Sequence, residues 1–258
     1  MRSPLTFPQL KIDRLPCAVR RLLTALGFLT RFPFAVKTTP EELARSLGYF
    51  PAAGFLLGVL ALLPVWLGLW EAHRTVQGVL YVALLVWLTR GLHWDGLADV
   101  CDAAGSGACG ERFYTILKDS RLGAFGALGL VLGLVMSACA AAACLHTSDW
   151  LPLLLAPVTG RCLPVVLLWK GPVRSGQGLG RMLLPGATGV QVFFHLALAI
   201  GCLTLLGPLR GLAGAVFIAT GLGFLLRLAR REEGLNGDFL GAGIIWGELS
   251  VLLAGCLA

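Results

Sequence analysis

Charge is what this chain has little of. Asp, Glu, Lys and Arg make up 14% of its 258 residues, while 57% are hydrophobic and the mean hydropathy is +0.80; soluble domains carry about 25% charged residues. That scarcity excludes an ordinary soluble domain and leaves a polytopic membrane protein. The eight cysteines include no CxxC pair and sit mostly in or beside apolar runs. This argues against a zinc ribbon or a disulfide scaffold and reads them as small packing residues. A GxxxxGK[ST] sequence is also missing, which rules out a phosphate-loop nucleotidase. The first twenty residues lack a continuous apolar stretch, since Arg2, Lys11, Arg14 and Arg20 alternate with Pro8 and Pro16; that is not the make-up of a removable signal peptide.

What is there is a series of long apolar runs. They lie at residues 50–70, 76–92, 122–145, 150–169, 189–207, 211–227 and 239–257, each near the roughly 20 residues that a hydrocarbon core of about 30 Å requires. They predict an all-α fold, a polytopic bundle of seven membrane-spanning helices, as one membrane-embedded domain over residues 1–258. Ahead of them, within a cytoplasmic or interfacial segment 1–49, the apolar run RLLTALGFLTRFPF is broken at Arg31 and Pro33. Too short to span, it predicts an interfacial or re-entrant helix. Thr39 followed by Pro40 predicts the start of another short helix.

The basic residues test this topology independently. Of the 21 Lys and Arg, all but three fall before run one or after runs two, four and six; Arg74 and Arg210 lie on the other side, and Arg161 lies inside run four. The bias puts the N-terminus and every long polar loop in the cytoplasm and the C-terminus outside. It also accounts for most of the formal net charge of +7, so membrane lipids are the expected surroundings and no nucleic acid is invoked.

Residues 90–121, RGLHWDGLADVCDAAGSGACGERFYTILKDSR, are the polar and acidic exception. Asp95, Asp99 and Asp102 are spaced i, i+4, i+7, which on a helix keeps them within about 60° of one another. Like charges at that spacing repel by a few tenths of a kcal/mol per pair, so the row asks for a cation unless it is simply a solvated face. Hard oxygen ligands without a Cys or His ladder favour Mg2+, and after it Mn2+ or Ca2+, over zinc. His93 lies just upstream, and Gly96 and Ala98 are small enough for a closely approached backbone. The glycine-rich segment 103–110 can turn backbone amides toward a phosphate. Its Gly105, Gly107 and Gly110 follow an acidic helix rather than a strand, so they are not a dinucleotide fingerprint. Asp119, between Lys118 and Arg121, can complete a metal site, orient a nucleophile or form a juxtamembrane ion pair.

HWDGLADVCDAAGSG followed by RFYTILKDSRLGAFG resembles the cobalamin synthase family, whose members read approximately HxDGLADxxDGxG and then KDSRxGxxG. FLTRFP at 28–33 is similar to the family's FLTRxP, YFP at 49–51 with Gly54 to its YFPxxG, Gly178–Gly180 to a GLG segment, and NGDFLGA at 236–242 to its TGDxLGA. The resemblance covers nearly the whole chain. It departs at Asn236, where threonine is usual, and at Ala103 and Ala104, where a glycine-containing pair is common. It implies a Mg2+-dependent transferase of the bacterial cytoplasmic (inner) membrane. Such an enzyme moves phosphoadenosylcobinamide from adenosylcobinamide-GDP to the 3′-hydroxyl of α-ribazole or its 5′-phosphate and releases GMP, so corrinoid and α-ribazole substrates are the partners.

On that reading Asp95, Asp99 and Asp102 hold one or two Mg2+ ions, and Asp119 completes the metal site or accepts the ribazole hydroxyl proton. His93, Lys118 and Arg121 are candidates for the phosphates. Arg161 sits where a charge costs about 2.5 kcal/mol or more, so it must face a buried carboxylate, with Glu248 the obvious one, or an anionic substrate. Asn236 and Asp238 form a second polar patch, for substrate binding or helix capping. Two other classes compete: a CDP-alcohol-type phosphotransferase, sharing the metal but taking a lipid alcohol, and a small-solute transporter. A transporter would carry an internal repeat and midplane charges; no repeat is visible and the acidic cluster lies at one face.

Overall fold

The computed structural model describes residues 15–32, 38–176 and 178–257. Residues 1–14 of the N-terminal segment, and Pro33 and Lys37, lie outside the described residues. The described chain is helical: α1 (Cys17–Leu29), α2 (Pro40–Ser46), α3 (Phe50–Trp66), α4 (Arg74–Leu88), α5 (Leu92–Gly105), α6 (Glu111–Leu117), α7 (Ala124–His146), α8 (Leu151–Lys170), α9 (Leu179–Leu183), α10 (Gly189–Leu205), α11 (Pro208–Arg231) and α12 (Gly237–Gly255). The Thr39 signal is realised in full. Its hydroxyl accepts from the Glu42 amide, the Glu42 carboxylate accepts from the Thr39 amide, and Pro40 opens α2.

Each of the seven apolar runs becomes a helix: α3, α4, α7, α8, α10, α11 and α12. Five stretches are long and apolar enough to cross a membrane as they stand, Pro40–Trp66, α7, α8, α11 and α12. The other two expectations need correcting. At 15 residues α4 is too short, and at 17 so is α10. Each reaches spanning length only with a bent partner, α4 with α5 at 93° and Leu179–Gly186 with α10 at 92°. The first bend sits at Arg90 and Gly91, whose φ values of 57° and 69° end the helix. Glycine adopts that left-handed conformation at no steric cost. The acidic stretch is therefore no simple loop. Its first half is the helix α5, bent by 93° from α4 and packed between α7 and α12.

The most enclosed helix is α8, buried along nearly its whole length. Pro157 inside it has no N–H for the carbonyl of Leu153, and the Tyr81 hydroxyl of α4 donates to that carbonyl at 2.6 Å. The helix meets α12 where Gly247 approaches the Cα of Gly160, so that a Cβ on Gly247 would stand 2.8 Å away; small residues at membrane-helix crossings allow such contact. Around this centre α7, α10 and α11 expose Leu128, Val131, Phe193, Phe194, Leu212 and Phe224. Such an exposed apolar rim accords with the helices of membrane-spanning length. Trp70, Trp150 and Trp169 are exposed at helix ends.

Candidate active site

The four polar side chains of α5 go to different neighbours. Asp102 turns to the start of α7, where one oxygen accepts from the Gly123 amide at 2.8 Å and the other from the Gly126 amide at 2.7 Å. It therefore satisfies two of the four amides that a helix start leaves free and adds negative charge at the positive end of the helix dipole.

Asp95 and Asp99 face α12 instead. Gly96 and Gly241 bring the two backbones together, a Cβ on Gly241 standing 3.3 Å from the Cα of His93. Asn236 caps α12, accepting from the amides of Asp238 and Phe239 at 3.2 and 3.4 Å, and its amide donates to Asp238 Oδ2 at 2.7 Å. Asp238 thus sits in the first helical turn, not at the cap. Of the charges around the half-buried Asp99, that of Asp238 acts most strongly, followed by Asp95 and Asp102. Among the described residues neither Asp95 nor Asp99 has a hydrogen-bonding or ion-pairing side chain.

Asp119 does not join them. Arg121 grips it at 3.1 Å through its amide, 3.0 Å through Nε and 2.6 Å through Nη2. Those hydrogen bonds hold the carboxyl well below the usual carboxylate range, at about 2. The carboxylate that lines the same cavity as Asp95 is Asp238, whereas Arg121 holds the carboxyl of Asp119 within the KDSR segment. Among the described residues no three His, Cys, Asp or Glu side chains converge as a ready-made metal cage. Hard carboxylates without a counter-charge nevertheless suit Mg2+, which takes one or two carboxylates and completes its shell with water and substrate phosphates.

A cavity of about 570 Å3 opens beside this cluster, at the end of the bundle where α8 stops and α12 starts. From α5 and α12 it takes His93, Asp95, Asn236 and Asp238; from the end of α6 and the segment after α8 it takes Lys118, Arg174 and Arg181. Phe28, Leu29, Phe50 and Leu183 supply apolar lining. His93 is buried, and among the described residues its Nε2 has no partner.

Two predicted cations lie elsewhere. Arg121 is exposed on Asp119. Arg161 is 1% exposed and ion-paired with Glu248, with Nη1 also donating to the Pro157 carbonyl at 3.1 Å; of the two options for Arg161, the structure contains the carboxylate pair. The glycine-rich loop also differs from expectation, since its Gly110 amide donates to Glu232 Oε2 at 2.7 Å and so is not free for a phosphate.

Sequence reasoning missed Arg174 and Tyr114. The Arg174 guanidinium lies 3.3 Å over the Tyr114 ring, and Nη2 donates to both Glu111 oxygens at 3.0 and 3.1 Å. Arg174 had counted only towards topology; its place four residues before Gly178 of the GLG segment was the available signal.

A helical membrane protein whose one end sets carboxylates and cations around a partly apolar cavity has the make-up of a membrane-embedded enzyme acting on an anionic substrate. Comparison with known proteins makes this particular. The chain belongs to the cobalamin-5-phosphate synthase family, whose model matches residues 21–256, and it is a transferase. It is 46% identical over 240 residues to the adenosylcobinamide-GDP ribazoletransferase of Nitratidesulfovibrio vulgaris Miyazaki F, covering 93% of this chain and 96% of that one. Similar proteins of the same name occur in Syntrophobacter fumaroxidans, 39% identical over 85% of this chain and 91% of the relative, and Klebsiella pneumoniae, 34% identical over 92% and 99%. No solved structure matches.

Proposed function

We propose that this chain is a single catalytic unit of the bacterial cytoplasmic membrane. It transfers phosphoadenosylcobinamide from adenosylcobinamide-GDP to the 3′-hydroxyl of α-ribazole or α-ribazole 5′-phosphate and releases GMP, with its N-terminus and active cavity on the cytoplasmic side. The observation that carries this reading is the cavity in which Asp95 and Asp238 meet Lys118, Arg174 and Arg181. Phosphoryl transfer needs little covalent help from protein; it needs in-line positioning and neutralised charge. The three cations would draw in and hold the pyrophosphate. The exposed carboxylate of Asp95 would hold the attacking hydroxyl and accept its proton, and His93, which lines the same cavity, would hydrogen-bond a substrate oxygen. The apolar lining from α1 and α3 would keep water from competing for the phosphoryl group. Asp238, with Asp95 or Asp99 beside it, would hold Mg2+, which would supply neutralisation of the pyrophosphate oxygens.

The test is to incubate purified protein with Mg2+, adenosylcobinamide-GDP and α-ribazole or its phosphate and follow GMP. Release that requires both organic substrates is expected. Release of CMP from a CDP-linked lipid, with none of GMP, would replace this reading by a CDP-alcohol phosphotransferase.

A further inference from the structure

Lys118, Arg174 and Arg181 line the cavity, but Arg174 is built in differently. Its backbone amide donates to the Leu235 carbonyl at 3.0 Å, and the Leu235 amide donates to the Pro172 carbonyl at 2.7 Å. This two-residue bridge ties the segment after α8 to the one before α12. Gly234 permits the contact, because a Cβ there would stand 2.4 Å from the Arg174 nitrogen and its φ is +124°. Below the guanidinium, the Tyr114 ring forms a shelf, and the Tyr114 hydroxyl is fixed by donating to the Gly234 carbonyl. Glu111 takes only Nη2. Nη1 is shielded from solvent and has no partner among the described residues.

A surface ion pair with Glu111 would account for Nη2 alone. It would not account for the aromatic shelf, the backbone bridge or the unsatisfied Nη1. A shielded ionic N–H without an acceptor is costly, and a planar guanidinium fork fits phosphate oxygens two at a time. Stacking on Tyr114 fixes the plane of that fork before any ligand arrives, so little further ordering is needed on binding.

We infer that Arg174 is the residue that grips the pyrophosphate of a nucleotide-linked substrate, with Tyr114 and Glu111 as its positioning residues; this deepens the function proposed above and rests on it for the identity of the substrate. Leu235, whose carbonyl accepts from the Arg174 amide, leads within one residue to Asn236, which caps α12 and hydrogen-bonds Asp238. The phosphate grip and the carboxylate cluster are therefore set in register by one piece of backbone.

The experiment measures binding of inorganic pyrophosphate and of GDP to the full-length protein in detergent by calorimetry, beside steady-state kinetics. Arg174→Ala is expected to raise both dissociation constants tenfold or more, and the KM for adenosylcobinamide-GDP with them, leaving the KM for α-ribazole unchanged. Arg174→Lys, which keeps the charge but loses the fork, is expected to fall between the two, and Arg121→Ala to match the wild type. Dissociation constants of Arg174→Ala within twofold of wild type, a loss confined to α-ribazole, or a wild type that binds neither ligand would overturn the grip. Should Arg174→Ala not yield folded protein, Arg174→Lys decides, and wild-type affinity there refutes the assignment. A wild type that binds GDP through Arg174 yet releases no GMP would refute the proposed reaction and leave the grip standing.

Discussion

Gly96 of α5 lies directly against the backbone of Asp238 in α12: a Cβ at Gly96 would stand 2.9 Å from the Asp238 carbonyl oxygen and 3.0 Å from its Cα. Backbone cannot swing aside as a flexible side chain can. Gly96→Ala should push the first turn of α12 away from Asp95 and Asp99. Overpacking of this kind costs about 1–3 kcal/mol, whereas a misplacement near 1 Å can lower a rate about a hundredfold. The variant is expected to melt a few degrees early but to lose most of its GMP release; near-normal turnover would show that Asp238 is not held in place by this contact.

The cluster assignment separates two aspartates that sequence treats alike. Asp238→Asn, like Asp99→Asn, is expected to abolish turnover while the protein still inserts and purifies. Asp119→Asn, which disturbs an exposed pair with Arg121, should stay within about threefold of wild type, because exposed ion pairs contribute little, about 0–1 kcal/mol. The reverse order in a GMP assay would return Asp119 to the metal site.

Asp102 is expected to behave as a structural residue first. Asp102→Ala leaves the amides of Gly123 and Gly126 without acceptors, and losing a helix-capping side chain costs about 0.5–2 kcal/mol. Gly126→Ala should be worse, since its Cβ would drive the Asp102 carboxylate off that cap and also meet the Ala98 backbone oxygen at 2.9 Å. Thermal melting of both variants, with the Asp102→Ala shift the smaller, checks this ranking.

Tyr114 gives a pH signature. Burial pushes its phenol up to about 12, while an unfolded tyrosine titrates near pH ~10. Between those values the folded state keeps a proton that the unfolded chain has lost, so this group's contribution is complete below about pH 10 and declines as pH rises towards 12. Tyr114→Phe loses the hydrogen bond to Gly234, worth about 1 kcal/mol, and carries no such proton. The melting-temperature gap between wild type and variant should hold steady below pH ~10 and narrow above it; a constant gap through pH ~12 would contradict the assignment.

Sequence determined what depends on composition and local order. Apolar runs of bilayer length identified the seven hydrophobic helices, the capping signal at Thr39 and Pro40 produced α2, and the family motifs identified the enzyme class. Helical spacing put Asp95 and Asp99 on one face, and the cost of a lone charge in a span demanded a partner for Arg161, either Glu248 or an anionic substrate, of which the structure contains the Glu248 pair.

Only the tertiary structure decided which carboxylates share a site. Helical phase grouped Asp102 with its neighbours, yet the start of α7 arrives beside it and claims both its oxygens. Nearness in sequence nominated Asp119, which its neighbour Arg121 occupies, while Asp238, more than a hundred residues downstream, is delivered by a glycine crossing between α5 and α12. Arg174 was legible only as one more positive charge; its shelf, its bridge and its free nitrogen exist because three separate segments meet there. Spacing along one helix is written in the chain, but which partner reaches each side chain depends on how helices pack, and packing is a property of the whole fold.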